Sequence, residues 1–343
     1  MLAKDDLFMK LSELGIPSYR GKQIMHAVYK EGVNSYEQIT TLPREMLSGL
    51  QNICPIFSLR PLLMKKSKDG MTEKCLFATS DDKRIESVLM NFKDGRHSVC
   101  VSSQVGCQLG CKFCATGTMK FGRNLSYEEI ADQVLYFAQE LHLKGERVSN
   151  IIYMGMGEPF MNYENVMKSA LLINDKSALG IGARSITIST SGICEGIEKL
   201  TEEPLQVNLA VSLHAPNQPL REKIMPIARK YDLAKLMRAI ETYIKETHRR
   251  VSYEYVMLAG INDGEKEARE LAALVKDQLC HINLIPYNAT GIAGITGSEK
   301  KQIRAFRDVL KQAGVEVTIR VTMGQEIDAA CGQLANKAEK NTL

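Results

Sequence analysis

The feature that most constrains the fold is a regular alternation of short β-branched runs and helical patterns, which begins at residue 98. Runs typical of strands lie at residues 98–101, 150–154, 185–190, 207–213, 252–257, 281–286 and 316–321. Apolar residues recur at helical spacing in residues 127–143, 163–174, 194–200, 233–247, 265–278 and 299–313. Strands that alternate with helices of this length predict a parallel sheet with right-handed crossovers. Six such units predict an α/β fold built on a partial (β/α)6 barrel.

The chain before residue 98 has other patterns, which predict two smaller parts. Residues 5–13 and 19–31 have helical spacing and Pro43 begins a third short helix, so residues 1–54 are predicted to form a small helical accessory domain, with Arg20 and Lys22 as candidate contacts to nucleic-acid phosphates. Residues 74–79 and 84–90 predict two strands joined by a turn, within a β-rich extension at residues 55–97. The barrel and a C-terminal tail take up residues 98–343.

Composition narrows the class of protein. No apolar run approaches the roughly eighteen residues of a membrane span, and the N-terminus lacks the apolar core of a secretion signal. Nine cysteines in such a chain indicate a reducing cytoplasm and metal or redox chemistry rather than a disulfide framework. The net charge of +4 permits a nucleic-acid partner without requiring one.

The most specific motif is GCQLGCKFC at residues 106–114, called the cysteine loop below. Cys107, Cys111 and Cys114 are spaced C-x3-C-x2-C, and the next cysteine is Cys194. Three thiolates this close can hold an iron–sulfur cluster and leave one iron open for catalysis. The alternative is a zinc loop completed by a distant ligand, which the uneven spacing disfavours.

Other polar residues follow predicted strands, where barrel enzymes place their chemistry. In the turn at residues 155–159, Gly157 permits close approach of a ligand and Glu158 can accept a hydrogen bond from an amino group. An ordinary strand-to-loop turn is the alternative. Ser189 and Asn288 suit hydroxyl, carboxylate or adenine groups. His214 is interpreted as a ligand contact without proton transfer, against the alternatives of a base, a metal ligand or a core histidine.

Two further cysteines stand out by position. Cys100 lies on the first barrel strand, where alternation can aim it into the barrel. Cys331 has small neighbours in DAACGQL, residues 328–334, which would leave its sulfur accessible. For both, the alternative is simple burial. Lys65, Lys66, Lys68, Lys120, Arg123, Arg249 and Arg250, with Arg20 and Lys22, are candidates for phosphate contacts or solvated faces.

The cysteine loop, with Phe113 before its last cysteine, resembles the signature of the radical S-adenosylmethionine (SAM) enzymes. The resemblance implies that the three cysteines hold a [4Fe–4S] cluster whose open iron binds SAM. It further implies that cleavage of SAM yields a 5'-deoxyadenosyl radical, and that the turn at residues 155–159 binds the amino group of SAM.

Several strings together resemble the RlmN/Cfr family of radical SAM methyltransferases that act on 23S rRNA. They are SVCVSSQVGC at 98–107, MGMGEP at 154–159, ISTSG at 188–192, residues 207–216 and DAACGQL. The resemblance implies that Cys331 first takes a methyl group from one SAM. The radical from a second SAM then removes a hydrogen atom from this methyl group, and the resulting methylene radical bonds to adenine. Cys100 is then base and disulfide partner, and Glu86 a proton acceptor. The implied SAM contacts are Gly157, Glu158, Ser189, Ser212, Leu213, His214 and Asn288.

Within that family, GEP at 157–159 and SLHAPN at 212–217 resemble the RlmN type, since Cfr-type enzymes have Ala and Ser in place of Pro159 and Ala215. The implied reaction is methylation of C2 of adenine 2503. The alternatives are a Cfr-type C8 methyltransferase that confers antibiotic resistance and a non-catalytic iron–sulfur RNA-binding factor. Some RlmN enzymes also methylate adenine 37 of tRNA, which the sequence leaves open. We expect the protein to be a cytoplasmic monomer, to bind RNA through the helical domain at residues 1–54, and to receive electrons from a donor such as flavodoxin or ferredoxin.

Overall fold

The structure, a computed structural model, describes residues 4–335 and is built on one ten-stranded sheet. Strand order follows the chain: β1 Arg60–Lys66, β2 Thr72–Ala78, β3 Arg84–Asn91, β4 His97–Cys100, β5 Asn150–Tyr153, β6 Ile186–Thr190, β7 Asn208–Ser212, β8 Val251–Met257, β9 Cys280–Pro286 and β10 Val317–Ile319. Strands β1 to β4 pair antiparallel, and β4 to β10 pair parallel. The predicted α/β fold, an open partial barrel with a β extension, is confirmed.

Ten α-helices lie in the described residues. They are α1 Lys4–Glu13, α2 Ser18–Lys30, α3 Arg44–Ile53, α4 Tyr127–His142, α5 Tyr163–Asn174, α6 Cys194–Glu202, α7 Gln218–Ile224, α8 Leu233–Thr247, α9 Glu265–Val275 and α10 Lys300–Gln312. The first three form the predicted helical segment. Alternate residues of the parallel strands, such as Ile188, Leu209 and Ile282, belong to one buried cluster with residues of the crossover helices, while residues at the other positions, such as Ser189 and Glu254, line the cavity side.

Local signals explain where these elements begin. Helix α4 starts at a capping box, in which Ser126 Oγ accepts from the Glu129 N–H at 3.3 Å and the Glu129 carboxylate accepts from the Ser126 N–H at 2.9 Å. Ile130, Val134 and Phe137 then fall on the buried face of this helix. The cap therefore fixes where α4, the first helix after the cysteine loop, begins.

Two elements were absent from the sequence-based expectation. Strand β1 is an exposed edge strand with Pro61 in it, and an edge strand needs neither alternation nor every backbone N–H. Helix α7 has only seven residues with a proline in its first turn, too short to show a period. Its start is fixed by Asn217, whose side chain accepts from the Leu220 N–H at 3.1 Å.

The arrangement of the sheet brings the loops after the parallel strands to one edge. The division into domains at residues 54 and 97 stays a prediction, since Leu11 and Leu50 of the helical segment belong to the same buried cluster as Val99 and Leu135 of the barrel. Within residues 4–335, the helices all fall short of the length and apolarity that crossing a bilayer would take.

Candidate active site

A single cavity lies where the loops after the parallel strands meet. It contains about 1040 Å³ of space free of protein atoms, part of which is open solvent. Ten of the residues singled out in the sequence line it: Cys107, Cys111, Cys114, Gly157, Glu158, Ser189, Ser212, His214, Asn288 and Cys331. Three others, Cys100, Glu86 and Leu213, lie outside this lining.

The cysteine loop borders the cavity with all three thiols. The Cys114 N–H donates to the Cys111 carbonyl at 3.2 Å, and the Lys112 N–H ties the loop to the Ile224 carbonyl at the end of α7 at 3.0 Å. Burial raises the pKa of Cys107 to about 12, and burial together with the other two thiols raises that of Cys111. Bare thiolates are therefore costly here, and a bound cation would offset that cost.

The chemistry of the thiols can be compared with the two metal sites considered in the sequence. Cys107, Cys111 and Cys114 all line the cavity and are the sulfur donors that an iron–sulfur cluster takes. His214 and Glu158 line the same cavity, but His214 Nδ1 and the Glu158 carboxylate accept from backbone N–H groups. The three thiols therefore fit a cluster, and a zinc loop completed by a distant ligand stays the alternative.

The turn after β5 is built by contacts with the chain after β4. Gly157 has a φ of +99°, and a Cβ there would lie 2.5 Å from Gln104 Cβ. The Glu158 N–H donates to Gln104 Oε1 at 2.8 Å, and the Glu158 carboxylate accepts from the N–H groups of Phe160 at 3.1 Å and Ser191 at 2.7 Å. Burial raises the pKa of Glu158 despite these bonds, so a cationic amino group would be a favourable partner.

His214 is held neutral in the wall of the cavity. Its Nδ1 accepts from the Val256 N–H at 3.0 Å, which leaves the ring proton on Nε2. Burial, with a contribution from Arg221, lowers its pKa to about 3, and the ring packs edge-on against Phe113 with 4.7 Å between centroids. These contacts agree with a ligand-binding role without proton transfer.

Leu213 differs from its neighbours because it presents no side chain to the cavity lining. It is fully buried, its N–H donates to the Glu254 carbonyl at 3.1 Å, and its carbonyl accepts from Arg221 Nε at 3.3 Å. Ser189 and Ser212, at the ends of β6 and β7, do line the cavity. A contact from Leu213 to a ligand would therefore come through its backbone or through its effect on Ser212 and His214.

The C-terminal segment, residues 328–335, closes one side of the cavity and carries Cys331. The Ala115 N–H donates to the Gly332 carbonyl at 2.8 Å, Thr116 Oγ1 donates to the Leu334 carbonyl at 2.6 Å, and Asn288 Nδ2 donates to the Cys331 carbonyl at 3.1 Å. Cys331 is exposed towards the cavity although protein surrounds it, and burial raises the pKa of its thiol. The segment thus places this thiol beside the cysteine loop.

Cys100 lies next to Cys331 but is buried. Burial and the neighbouring Cys331 raise the pKa of Cys100 to about 12, while Arg320 and the N–H of Met154 act in the opposite direction. Both cysteines are free thiols in the structure. The fold therefore brings together two cysteines that are far apart in the sequence.

Glu86 sits behind the C-terminal segment. Its Oε1 forms a buried ion pair with Lys74 Nζ at 2.8 Å, and its Oε2 accepts from the Ala335 N–H at 2.9 Å. Lys74 also donates to the Asp328 carbonyl at 3.0 Å. These contacts anchor both ends of the segment that carries Cys331.

The sequence analysis missed three charged residues near the cavity, of which Arg221 and Glu254 are buried and Arg320 has a side chain that is 29% exposed. Arg221 is fully buried and donates to the carbonyls of Ser191 at 2.7 Å and Leu213 at 3.3 Å, which joins the ends of β6 and β7, and burial lowers its pKa to about 10. Glu254 lies in the middle of β8 and Arg320 follows β10, with 3.6 Å between the charged atoms. A carboxylate between Tyr253 and Tyr255 in an apolar strand was the signal that could have identified Glu254.

Several basic residues that were candidates for phosphate contacts form ion pairs with carboxylates of the same chain. Arg123 pairs with Asp81 at 2.6 Å and Glu129 at 2.7 Å, and Lys66 pairs with Glu73 at 3.2 Å. These pairs favour a structural role for Arg123. The location of an RNA-binding face stays a prediction.

Comparison with known proteins gives a consistent family. The radical SAM superfamily model matches residues 101–272. "Probable dual-specificity RNA methyltransferase RlmN" of Dictyoglomus thermophilum is 46% identical and covers 93% of this chain and 91% of the relative. The protein of the same name from Streptococcus pyogenes serotype M5 is 45% identical, covering 99% and 95%. A crystal structure of a radical SAM methyltransferase from Sphaerobacter thermophilus superposes with a TM-score of 0.95 at 43% identity, covering 97% of both chains.

Proposed function

The chain belongs to the RlmN family of radical SAM RNA methyltransferases, and from this membership we propose that it methylates C2 of adenine 2503 in 23S rRNA. Membership implies a [4Fe–4S] cluster, SAM and an RNA substrate. The target atom, the residues in each role and the use of two SAM molecules per turnover belong to the proposal. The observation that carries it is that Cys331 opens onto the cavity lined by the cysteine loop, with Cys100 beside it.

The predicted site residues divide into two groups in this proposal. Cys107, Cys111 and Cys114 hold the cluster, and Gly157, Glu158, Ser189, Ser212, His214 and Asn288 line the space for SAM, with Leu213 acting through its backbone. When bound, the cluster and SAM supply an electron and a 5'-deoxyadenosyl radical. Glu158 receives the amino group, because its buried carboxylate has spare lone pairs and faces the cavity.

Cys331 is the carrier of the new carbon. Its thiol loses a proton, and the sulfur then gives an electron pair to the methyl carbon of one SAM as the sulfonium C–S bond breaks and S-adenosylhomocysteine leaves. This methyl group then loses a hydrogen atom to the radical that a second SAM would supply. The loss leaves a carbon radical on Cys331, and this radical bonds to adenine. Exposure of Cys331 towards the cavity supports this role, because both SAM and the base must reach the same sulfur.

Cys100 completes the reaction after the carbon–carbon bond has formed. Its thiolate accepts the proton lost from the base. Its sulfur then bonds to the Cys331 sulfur as the Cys331 S–C bond breaks, and the released carbon keeps the electron pair of that bond and takes up a proton to become the methyl group. The adduct must also lose one electron, for which a bound cluster would be the acceptor. Glu86 is a proton acceptor by resemblance only, and its bonds to Lys74 and Ala335 support a positioning role for the C-terminal segment.

The RNA target must be unstacked for this chemistry. The cavity is recessed behind loops, so a base reaches Cys331 only from a single-stranded or flipped position. The relatives are named dual-specificity RNA methyltransferases, which supports a second RNA substrate. We place that substrate at adenine 37 of tRNA on family resemblance.

The test is anaerobic reconstitution with an rRNA fragment that contains adenine 2503, followed by nucleoside mass spectrometry against synthetic standards. We expect 2-methyladenosine. Formation of 8-methyladenosine would instead support the Cfr-type reaction, and a protein that neither cleaves SAM nor modifies RNA would support a non-catalytic binding factor. Cys331→Ser is the matched control, because it should retain the cluster and SAM cleavage but give no methylated base.

A further inference from the structure

The backbone at His214 has a conformation that it cannot hold by itself. His214 follows β7 with a φ of +59°, in the left-handed region, and its turn is closed by the Ala215 N–H, which donates to the Leu213 carbonyl at 2.8 Å. A histidine in this region carries conformational strain, which persists only where surrounding contacts fix the backbone. Such a contact comes from the loop after β8.

Asn262, in the loop between β8 and α9, supplies this contact with its side chain. Asn262 is fully buried, and its Nδ2 donates to the His214 carbonyl at 2.8 Å and to the Val256 carbonyl at 2.6 Å. Its Oδ1 accepts from the Leu258 N–H at 2.8 Å. Both amide protons are thus used on backbone carbonyls, and the carboxamide joins the turn after β7 to β8.

Val256, whose carbonyl Asn262 holds, also fixes the His214 ring. The Val256 N–H donates to His214 Nδ1 at 3.0 Å, so Nε2 is the ring nitrogen left for a ligand in the cavity that His214 lines. The backbone and the ring of His214 are therefore both set by contacts that pass through one carboxamide. Asn262 lies outside the cavity lining, so a change at this residue would reach the cavity through His214.

We propose that Asn262 is a positioning residue of the SAM site, which holds the His214 ring with its Nε2–H directed at the bound ligand. The proposal rests on the proposed function above, in which His214 contacts SAM. Its physical basis is that a hydrogen bond weakens steeply as its angle departs from linear, so a donor must be held in place. SAM offers acceptors to such a donor on its adenine, ribose and carboxylate groups.

Four single variants test this role against simple stabilisation of the loop. Asn262→Leu removes both donors and keeps a branched side chain, and Asn262→Ala is the second variant in case leucine is too large. Tyr255→Phe is the matched control, because the buried Tyr255 hydroxyl donates to the Asn262 backbone carbonyl at 2.8 Å. It removes one buried hydrogen bond from the same loop but leaves the carboxamide in place. His214→Ala is made alone and together with Asn262→Leu.

The first measurement is the affinity for SAM, by equilibrium dialysis on the full chain with its cluster reconstituted. Asn262→Leu and His214→Ala should each bind SAM about three- to tenfold more weakly, which corresponds to the loss of one hydrogen bond. The double variant should bind no more weakly than His214→Ala alone, because the effect of Asn262 passes through His214. Tyr255→Phe should bind SAM like the unmodified protein.

The second measurement is the nitrogen-15 spectrum of the histidine rings in the full chain without SAM. The His214 signals are identified by their absence in His214→Ala. They should show a proton on Nε2 and none on Nδ1 in the unmodified protein and in Tyr255→Phe, but exchange between the two neutral tautomers in Asn262→Leu. A role in stability alone would lower the temperature of unfolding and leave these signals unchanged.

The proposed function and the role of Asn262 fail separately. If His214→Ala binds SAM normally, the contact between His214 and SAM in the proposed function is wrong. If His214→Ala weakens binding but Asn262→Leu and Asn262→Ala do not, the role of Asn262 is wrong. Losses that multiply in the double variant, unchanged His214 signals, or SAM binding in Tyr255→Phe as weak as in Asn262→Leu would also contradict it. If both Asn262 variants fail to fold, Asn262 serves stability and the proposed role is wrong.

Discussion

Replacing Gly157 by Ala should damage the SAM site through the loop at Gln104. A Cβ at residue 157 would lie 2.5 Å from Gln104 Cβ, 2.7 Å from its Cγ and 2.9 Å from its backbone nitrogen, so a flexible side-chain tip cannot absorb the overlap. The positive φ costs a non-glycine residue about 1–2 kcal/mol, and overpacking adds about 1–3 kcal/mol. The free energy of unfolding should therefore fall by about 2–5 kcal/mol.

The same substitution should weaken SAM binding as well. Displacing Gln104 breaks its hydrogen bond with the Glu158 N–H, a bond worth about 0.5–1.5 kcal/mol, and moves the carboxylate proposed to bind the amino group. A loss of about 1.4 kcal/mol corresponds to tenfold in affinity. Equilibrium dialysis with labelled SAM on the reconstituted protein, together with thermal unfolding, measures both effects.

Gly260→Ala is the matched control for Gly157→Ala. Gly260 also has a positive φ, +66°, but nothing lies within 4 Å of the added Cβ. This variant should lose only the conformational term of about 1–2 kcal/mol and should bind SAM normally. If the two variants lose equal stability and both retain SAM affinity, the crowding argument at Gly157 is wrong.

Three further predictions concern the cysteines and the C-terminal segment. Substituting any one cysteine of the cysteine loop by Ala should abolish the iron–sulfur absorbance while circular dichroism stays unchanged, because the loop lies at the mouth of the barrel; a full cluster in any variant would contradict the assignment. Lys74→Met leaves the buried Glu86 carboxylate without its ion pair and should lower the free energy of unfolding by about 3–5 kcal/mol; a change below about 1 kcal/mol in thermal denaturation would count against it. Burial raises the pKa of Cys331, so its methylation by SAM should speed up about tenfold per pH unit below that pKa, as measured by peptide mass spectrometry; a rate independent of pH would refute this.

Much of the site could be predicted because its residues stand at strand ends. Parallel strands bring their carboxyl ends to one edge, so the order of motifs along the chain was enough to place Cys107, Glu158, Ser189 and Asn288 around one cavity. The resemblance supplied what spacing could not, namely that Cys331 near the C-terminus belongs to the same site. The position of Cys331 depends on hydrogen bonds that Asn288 Nδ2, Thr116 Oγ1 and the Ala115 N–H donate to backbone carbonyls of its segment. Bonds to backbone carbonyls leave no pattern in the sequence.

Two of the residues that were missed, Arg221 and Glu254, lie inside regular elements, and Arg320 directly follows one. Arg221 belongs to a helix of seven residues, where an arginine ordinarily faces solvent, yet its guanidinium is fully buried among backbone carbonyls. Arg320 follows the last strand beside exposed residues. The burial of Arg221 and the position of Arg320 depend on how the barrel curves and on where the C-terminal segment packs, and both are properties of the tertiary structure.

The central claim is that the new carbon of the product passes through Cys331, and isotope transfer tests it most directly. The enzyme is loaded at Cys331 with a trideuterated methyl group, freed of excess SAM, and allowed one turnover with unlabelled SAM and rRNA fragment. The account predicts a methylated adenine that keeps two of the three deuterium atoms, because one is lost to the SAM-derived radical. A product with no deuterium would show that the carbon bypasses Cys331, and one with all three would show that the methyl group is transferred intact.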